Sequence, residues 1–313
     1  MNNNNLLKCS PPAAGCHIVA VSGGVDSVVL LDLLHQSVKA SSSTAADHHR
    51  YVVAHVDHGI RKDSAANARF VEGLAVKYGM QFELLTLKLG PTAGEEAGRK
   101  ARYDFFEVLR DKYQAETVVT AHHADDVLET IVLNLIRGTG WRGLASLRST
   151  GTRLRPLLHV QKTQLVEYAL ANRLEWYEDS TNAENDYLRN QIRHFTLPAA
   201  VRADERFKDK MLTAYHRQLR LRAEIEELAA GIYRTIQQDE GIDRLAVCAV
   251  PPEIQAELLR LLYARSGVAQ TRPQLSRATA FIASATNRQR FSLNKRHFLE
   301  VKAGNLVVSY RKN

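Results

Sequence analysis

Six consecutive residues, Ser22-Gly23-Gly24-Val25-Asp26-Ser27, carry the densest chemistry in this chain of 313 residues. They follow the apolar run Ile18-Val19-Ala20-Val21 and lead into Val28-Val29-Leu30-Leu31-Asp32-Leu33-Leu34, a pattern that reads as strand, tight turn and helix. Such a turn gathers backbone N–H groups and a helix N-terminus at one point, and both favour negative charge. The two serines add hydroxyl donors. A carboxylate at Asp26 repels a bare phosphate, so its presence points to a divalent cation between the two, with Asp26 as the first Mg²⁺ ligand. The turn therefore reads as a cradle for pyrophosphate and Mg²⁺, with an ordinary capped βα turn as the plain alternative. It is not a Walker loop, because no lysine follows the glycines.

Other clusters lie at comparable places along the chain. His55-Val56-Asp57-His58-Gly59-Ile60-Arg61 follows a β-favouring run; a His-x-Asp-His group can bind metal, but no third region supplies matching ligands, so a nucleotide-facing loop is the better reading. In Ala121-His122-His123-Ala124-Asp125-Asp126-Val127-Leu128-Glu129-Thr130, a helix puts Asp125 and Asp126 on the face of Glu129. Three acids so placed repel one another unless a cation or an ammonium group lies among them; alternatively Asp125 caps the helix and the other two face water. In Glu95-Glu96-Ala97-Gly98-Arg99-Lys100-Ala101-Arg102-Tyr103, Arg99 and Arg102 are about one turn apart. They suit either a solvated face or a clamp on phosphate. The G-x-G-x-x-G match at Gly138 to Gly143 follows a helical pattern rather than a strand, which excludes it as a dinucleotide site. Asp179-Ser180-Thr181-Asn182 and Arg189-Asn190-Gln191-Ile192-Arg193 precede an amphipathic segment ending at Pro198.

The elements that must position these groups alternate. Strands are expected at 18–21, 51–56, 81–87 and 117–122, with helices from about 28, at 64–78, 95–113 and 125–136. That order implies an α/β fold with a doubly wound parallel sheet, whose ligands bind beyond the carboxyl ends of the strands. An irregular region follows, with a helix around Leu165 to Leu170 and a short strand at Leu174 to Tyr177. A long helix is expected from about Asp204 to Gln238, and a domain boundary at its start divides the chain into 1–203 and 204–313. The second, mainly helical part closes with a helix opening near Pro273 and strands around Phe291 and over Leu306 to Tyr310, the last preceded by a hairpin turn at Ala303-Gly304-Asn305.

Composition narrows the class. Hydrophobic residues make up 45%, enough for full cores, and no run of about 18 apolar residues suggests a membrane span. Met1 to Leu7 is asparagine-rich and unlike a secretory signal, so a cytoplasmic location is expected. Cys9, Cys16 and Cys248 form no C-x-x-C pair and are expected to be reduced and structural. The net charge is +8; residues 1–200 carry 22 Lys+Arg and 22 Asp+Glu, residues 201–271 carry 11 of each, and residues after 271 carry 9 against Glu300 alone. A one-sign segment in a folded domain is the footprint of a polyanion such as nucleic acid.

In order and spacing, SGGVDS, HVDHGIR, EEAGRKARY, AHHADDVLET, RGTGWRGL, RPLL, DSTN and RNQIR resemble the tRNA(Ile)-lysidine synthases, a family of N-type ATP pyrophosphatases with a PP-loop and an adenine nucleotide α hydrolase-like fold. The resemblance covers residues 16–198 strongly and the basic remainder more loosely. Longer members carry a further C-terminal domain, and the third motif has Gly98 where alanine is commoner. What the resemblance implies is a ligase: ATP adenylates the wobble cytidine of tRNA(Ile) with a CAU anticodon at its C2 oxygen, and the ε-amine of free L-lysine then displaces AMP. It implies that Ser22, Gly23, Gly24, Val25, Asp26 and Ser27 hold the phosphates and that His55 and Val56 border the nucleotide through their backbone. Asp126 and Glu129 would hold the lysine ammonium and assist loss of its proton, and Arg102 and Arg193 would neutralise phosphate charge or hold the lysine carboxylate. ATP and Mg²⁺ are the expected cofactors. The oligomeric state is open, a homodimer included. The rivals are a PP-loop tRNA thiolase, which would need a persulfide or cluster-binding cysteine, a noncatalytic tRNA-binding protein, and an amidotransferase-type synthetase, which would leave the basic C-terminus without a purpose.

Overall fold

In the computed structural model, which describes residues 15–40, 49–57, 64–87, 95–177 and 187–311, the apolar run before the glycine pair is strand β1 (Gly15–Ala20), and the helix after it is α1 (Val25–Ala40). Next come β2 (His49–Asp57), α2 (Ser64–Lys77), β3 (Gln81–Thr86), α3 (Glu95–Tyr113), β4 (Thr117–Val119), α4 (Ala124–Ile136), α5 (Trp141–Leu144), β5 (Arg153–Leu154) and α6 (Lys162–Ala171). Among the described residues the strands form one parallel sheet in the order β3-β2-β1-β4-β5. Strand β5 has no counterpart in the sequence reading, which two residues cannot signal.

Parallel strands covered on both faces need apolar residues at successive positions. Ile18, Val19, Val52, Val53, Val118 and Val119 accordingly are at most 1% exposed. Val19, Val53 and Val119 pack with α1, α2 and α6 through Leu30, Val71 and Leu165. Ile18, Val52 and Val118 face α3 through Phe106 and Leu109. The order of connection reverses between β1 and β4, one leading outward to β2 and the other to β5. Their carboxyl ends therefore border a crevice, and the Gly pair and the acid cluster both open into it.

After α6 the expected strand at Leu174 to Tyr177 is irregular chain. Leu174 and Trp176 pack against the core, and this alternation mimics a strand without a sheet partner. Helical structure resumes as α7 (Tyr187–Gln191), a π-helical turn (Ile192–Thr196) and α8 (Leu197–Ala203). The segment thus runs through Pro198 instead of ending there. Proline lacks the N–H that would reach back four residues, and the wider turn just before it accommodates that loss.

Helix α9 (Phe207–Ile236) follows. The chain divides within it, at Gln218/Leu219, beyond the boundary expected at 203/204, because Phe207, Met211 and Leu212 pack with Leu128 and Ile192 of the first unit. The second unit contains α10 (Arg244–Cys248), α11 (Pro252–Arg265) and α12 (Arg272–Ser284) with an antiparallel sheet of β6 (Ile242–Asp243), β9 (Asn305–Tyr310), β8 (His297–Lys302) and β7 (Arg290–Ser292), in that spatial order. Leu258, Leu299 and Leu306, all fully buried, anchor its core. The β8–β9 turn uses Ala303 and Gly304 at φ of 45° and 83°, as the expected hairpin requires. Among the described residues no helix is long and apolar enough to cross a membrane.

Candidate active site

The loop between β1 and α1 is shaped from several directions. Gly23 has φ of +91°, and a Cβ there would meet Asn67 Oδ1 at 2.0 Å, so only glycine fits. Asn67 donates from Nδ2 to the Ser22 carbonyl at 2.9 Å, and the Tyr177 N–H donates to the Gly23 carbonyl at 2.9 Å. Ser27 Oγ donates to the Gly24 carbonyl at 2.9 Å and accepts from the Ser22 N–H at 3.2 Å. Beneath the loop, His55 Nδ1 lies 2.7 Å from the Val21 carbonyl. A carbonyl only accepts, so Nδ1 carries the proton, and burial lowers the pKa of the imidazole. His55 thus braces the loop through its side chain.

Asp26 begins the first turn of α1 and points across the crevice. Its Oδ1 is 2.6 Å from Lys162 Nζ, and its Oδ2 is 3.6 Å from His123 Nε2. Burial pushes its carboxyl up, but His123 and Lys162 outweigh that and hold it below the ordinary range. His123 Nε2 is also 3.6 Å from Asp126 Oδ2, and Nδ1 is 3.7 Å from Asp125 Oδ2. These are charge contacts, beyond hydrogen-bond length. Burial works against the imidazolium, yet Asp26 and Asp126 raise its pKa.

The three acids of α4 have separate tasks. Asp125 accepts the Lys162 backbone N–H at 2.8 Å and the Lys208 ammonium at 2.7 Å, fixing the start of α6. Asp126 Oδ2 caps α4 by accepting the His123 N–H at 2.9 Å. Glu129, 2% exposed, takes Arg193 Nε on Oε1 at 2.6 Å, and Arg193 Nη2 and Arg189 Nε on Oε2 at 3.0 Å each. Arg189 and Arg193 stand one turn apart on the helix carrying the π turn, which aims both at one carboxylate.

On the far side of β4, Arg102 lies over the Tyr103 ring at 5.8 Å. His122, hydrogen-bonded through Nδ1 to Thr120 Oγ1 at 2.8 Å, is pushed down to about 3 by burial and by the charges of Arg155, Arg189, Arg102 and Arg99. It stays neutral.

The structure therefore gathers Asp26, Asp126, Glu129 and Arg193 with the loop residues, while Arg102 lies over Tyr103 and adds positive charge at His122. Val56 is half-buried near the end of β2. His58 to Arg61 and Asp179 to Asn182 lie outside the described residues. The stretch Gly138 to Gly143 follows α4 and runs into α5, which starts at Trp141, so no strand precedes it, as the rejection of a dinucleotide site requires. Sequence reasoning overlooked Lys162, His123, Arg189 and Lys208. The paired histidines before Asp125-Asp126 hinted at His123; nothing local marks Lys162, which supplies the cation that the glycine loop lacks. No group of three His, Cys, Asp or Glu among the described residues stands ready to hold a metal ion. The ionised Asp26 carboxylate, partly exposed at the loop, is a hard oxygen donor of the kind that would hold Mg²⁺.

Residues 2–200 match the family described as the PP-loop domain. The chain is 34% identical over 249 residues to a tRNA(Ile)-lysidine synthase of Exiguobacterium sibiricum, covering 78% of this chain and 58% of that protein. It is 36% identical over 200 residues to the tRNA(Ile)-lysidine synthase of Bacillus licheniformis, covering 60% of this chain and 40% of the relative. The corresponding Nitratidesulfovibrio vulgaris protein is 36% identical over 209 residues, with 63% and 58% covered. The chain thus spans about half the length of the curated relatives it matches. Among solved structures, the U34-tRNA thiolase NcsA from Methanococcus maripaludis with its [4Fe-4S] cluster superposes with a TM-score of 0.58 at 16% identity, over 70% of this chain and 76% of that one. That likeness concerns the fold.

Proposed function

The chain belongs to the PP-loop domain family of ATP-binding proteins, and from that premise we propose that it ligates L-lysine to C2 of the wobble cytidine of tRNA(Ile) with a CAU anticodon, converting ATP to AMP and pyrophosphate. The observation that carries this reading is His123, whose Nε2 is 3.6 Å from both Asp26 and Asp126 and so joins the phosphate loop to the acid cluster.

In the first step the C2 oxygen of cytidine attacks the α-phosphorus of ATP; a P–O bond forms and the bond to the pyrophosphate oxygen breaks. The loop N–H groups and the Ser22 hydroxyl would receive the developing charge, and Ser27, whose Oγ donates to the Gly24 carbonyl, would hold the loop in the shape that presents them. Asp26 would hold Mg²⁺, which neutralises phosphate charge when bound. Lys162 and Arg102 add positive charge beside the leaving group and the α-phosphate. His55 keeps the loop in register, and Val56 borders the nucleotide.

The second step needs an amine. Lysine arrives as an ammonium with a pKa of about 10.4 and attacks only after losing a proton. Asp126 receives the ammonium and accepts that proton at its carboxylate. Glu129, buried and filled by Arg189 and Arg193, would fix those guanidinium groups, and Arg193 would meet the carboxylate of the lysine. The amine nitrogen then bonds to C2, and the C2–O bond breaks to release AMP.

The basic second part, 204–313 in the proposed division, would hold the tRNA. Arg272, Arg277, Arg288, Lys295, Arg296 and Arg311 are exposed there. Cytoplasmic location and the use of free lysine belong to the same reading. A thiolase has weaker support, because Cys9, Cys16 and Cys248 form no C-x-x-C pair and lie outside the motifs.

Incubating the full chain with ATP, radiolabelled lysine and CAU-anticodon tRNA tests the proposal. It expects lysine in RNA and AMP in equal amounts. AMP without RNA-bound lysine would refute it, and tRNA binding without AMP would favour the noncatalytic alternative.

A further inference from the structure

The even charge balance of residues 1–200 conceals a local excess. Between Thr130 and Val166 the chain carries Arg137, Arg142, Arg148, Arg153, Arg155 and Lys162 and no acid. Lys162 turns into the crevice toward Asp26. Arg153 and Arg155 instead lie on and just after β5, at the edge of the sheet.

There they meet α3. The guanidinium carbons of Arg153, Arg99 and Arg102 are 4.5, 5.2 and 5.8 Å from the centre of the Tyr103 ring, and Arg155 faces the same side chain. Glu107 offsets part of this charge by pairing with Arg153 at 3.2 Å and with Arg110. Arg153 Nε and Arg155 Nε are buried without a hydrogen-bond partner among the described residues. Several guanidinium groups gathered about one ring carry like charge, and the ring face offsets only part of it. An arrangement of this kind fits a polyanion that shares the charges.

Strand β5 is two positions from β1, about 10 Å across the sheet from the loop that cradles phosphate. On the proposed function the nucleotide would border His55 and Val56 of β2, which pairs with the opposite edge of β1. We propose that Arg99, Arg153 and Arg155, gathered around Tyr103, form a docking site on the first unit for the sugar–phosphate backbone of an RNA strand, built from none of the basic residues after 271. The site would steer the strand past His122 into the crevice. This rests on the reading of the chain as a tRNA-modifying enzyme and extends it to how the RNA is held.

Arg99→Gln, which changes an exposed side chain, and the double variant Arg99→Gln/Arg153→Gln test the site in the full chain, with fluorescent CAU-anticodon tRNA and an unrelated tRNA titrated across salt concentrations. Each lost phosphate contact should weaken both RNAs alike by about 3- to 10-fold and flatten the slope of log K against log salt by about 0.7–0.9. The KM for ATP should stay unchanged. Unaltered affinity and slope in a double variant of wild-type thermal stability would overturn the proposal. So would a raised KM for ATP with unaltered RNA binding, which would assign the arginines to nucleotide phosphate. If the wild type binds RNA and the variants weaken it, yet no lysine is transferred, the docking site stands and the proposed reaction falls. If the wild type binds no RNA, both fall.

Discussion

Lys162 places Nζ 2.6 Å from Oδ1 of Asp26 across 136 residues of chain. A loop whose glycines are followed by no lysine thus acquires one from the start of α6, held there by Asp125. The pair keeps Asp26 ionised and sets a positive charge where pyrophosphate would leave.

Replacing Lys162 with Met should therefore slow pyrophosphate release by about 10- to 100-fold, the size of a lost charge-assisted contact of about 1.5–3 kcal/mol. Lys162→Arg should recover part of the rate. A pyrophosphate-release assay at saturating ATP checks this; an unchanged rate in Lys162→Met would remove Lys162 from the site.

Asp125 acts through Lys162. Asp125→Ala frees the N-terminus of α6, so ATP turnover should fall while lysine affinity changes little. Asp125→Asn keeps an acceptor for the Lys162 N–H and should be milder. A steady-state comparison of the two variants separates positioning from chemistry, since equal losses in both would mean that the charge itself is what matters.

Asp32 illustrates a buried acid with no part in the chemistry. It is 6% exposed and accepts Tyr78 Oη at 2.9 Å, Tyr168 Oη at 2.7 Å and Gln36 Nε2 at 2.8 Å, tying α1 to α2 and α6. Asp32→Ala leaves two phenols unpaired and should cost about 2–4 kcal/mol in chemical denaturation, against about 1 kcal/mol for Tyr168→Phe. A loss under about 0.5 kcal/mol, typical of surface positions, would contradict the network.

Stability should also depend on pH. His55 and His122 are neutral when folded, His122 with a pKa of about 3, against an ordinary 6.5. Below pH 6.5 the unfolded chain binds the extra protons, so stability falls as the pH drops from there toward the folded values. His123 works the other way: its raised pKa gives stability that is full below 6.5 and lost as pH rises through the folded value. Denaturation midpoints measured between pH 4 and 7 should decline toward acid in the wild type and less steeply in His122→Asn, and parallel profiles would contradict the assignment.

Much of this was legible in the chain because it is local. The run Ile18 to Val21, the glycine pair and the apolar helix specify one another within about twenty residues, and the Asp125-Asp126 pair announces a helix start. The ion pairs of the site were not legible, since Glu129 meets Arg193 across 64 residues and Asp26 meets Lys162 across 136. No periodicity encodes such meetings: Asp26 reaches Lys162 because the strand order brings β1 beside β4, and Glu129 reaches Arg193 because Leu128 packs on Ile192 of the π turn. Leu174 and Trp176 misled for a related reason, because alternate burial alone does not make a strand. Pro198 misled because a π turn can precede a proline inside a helix.

The central claim is that one crevice activates a cytidine and delivers an amine to it. Mass analysis of the wobble nucleoside, after the full chain has acted on CAU-anticodon tRNA with ATP and lysine, tests it most directly. The account predicts a nucleoside heavier by one lysine less water with the wild-type chain and unmodified cytidine with Asp26→Asn. Unmodified cytidine with the wild type, despite release of AMP and pyrophosphate, would contradict it.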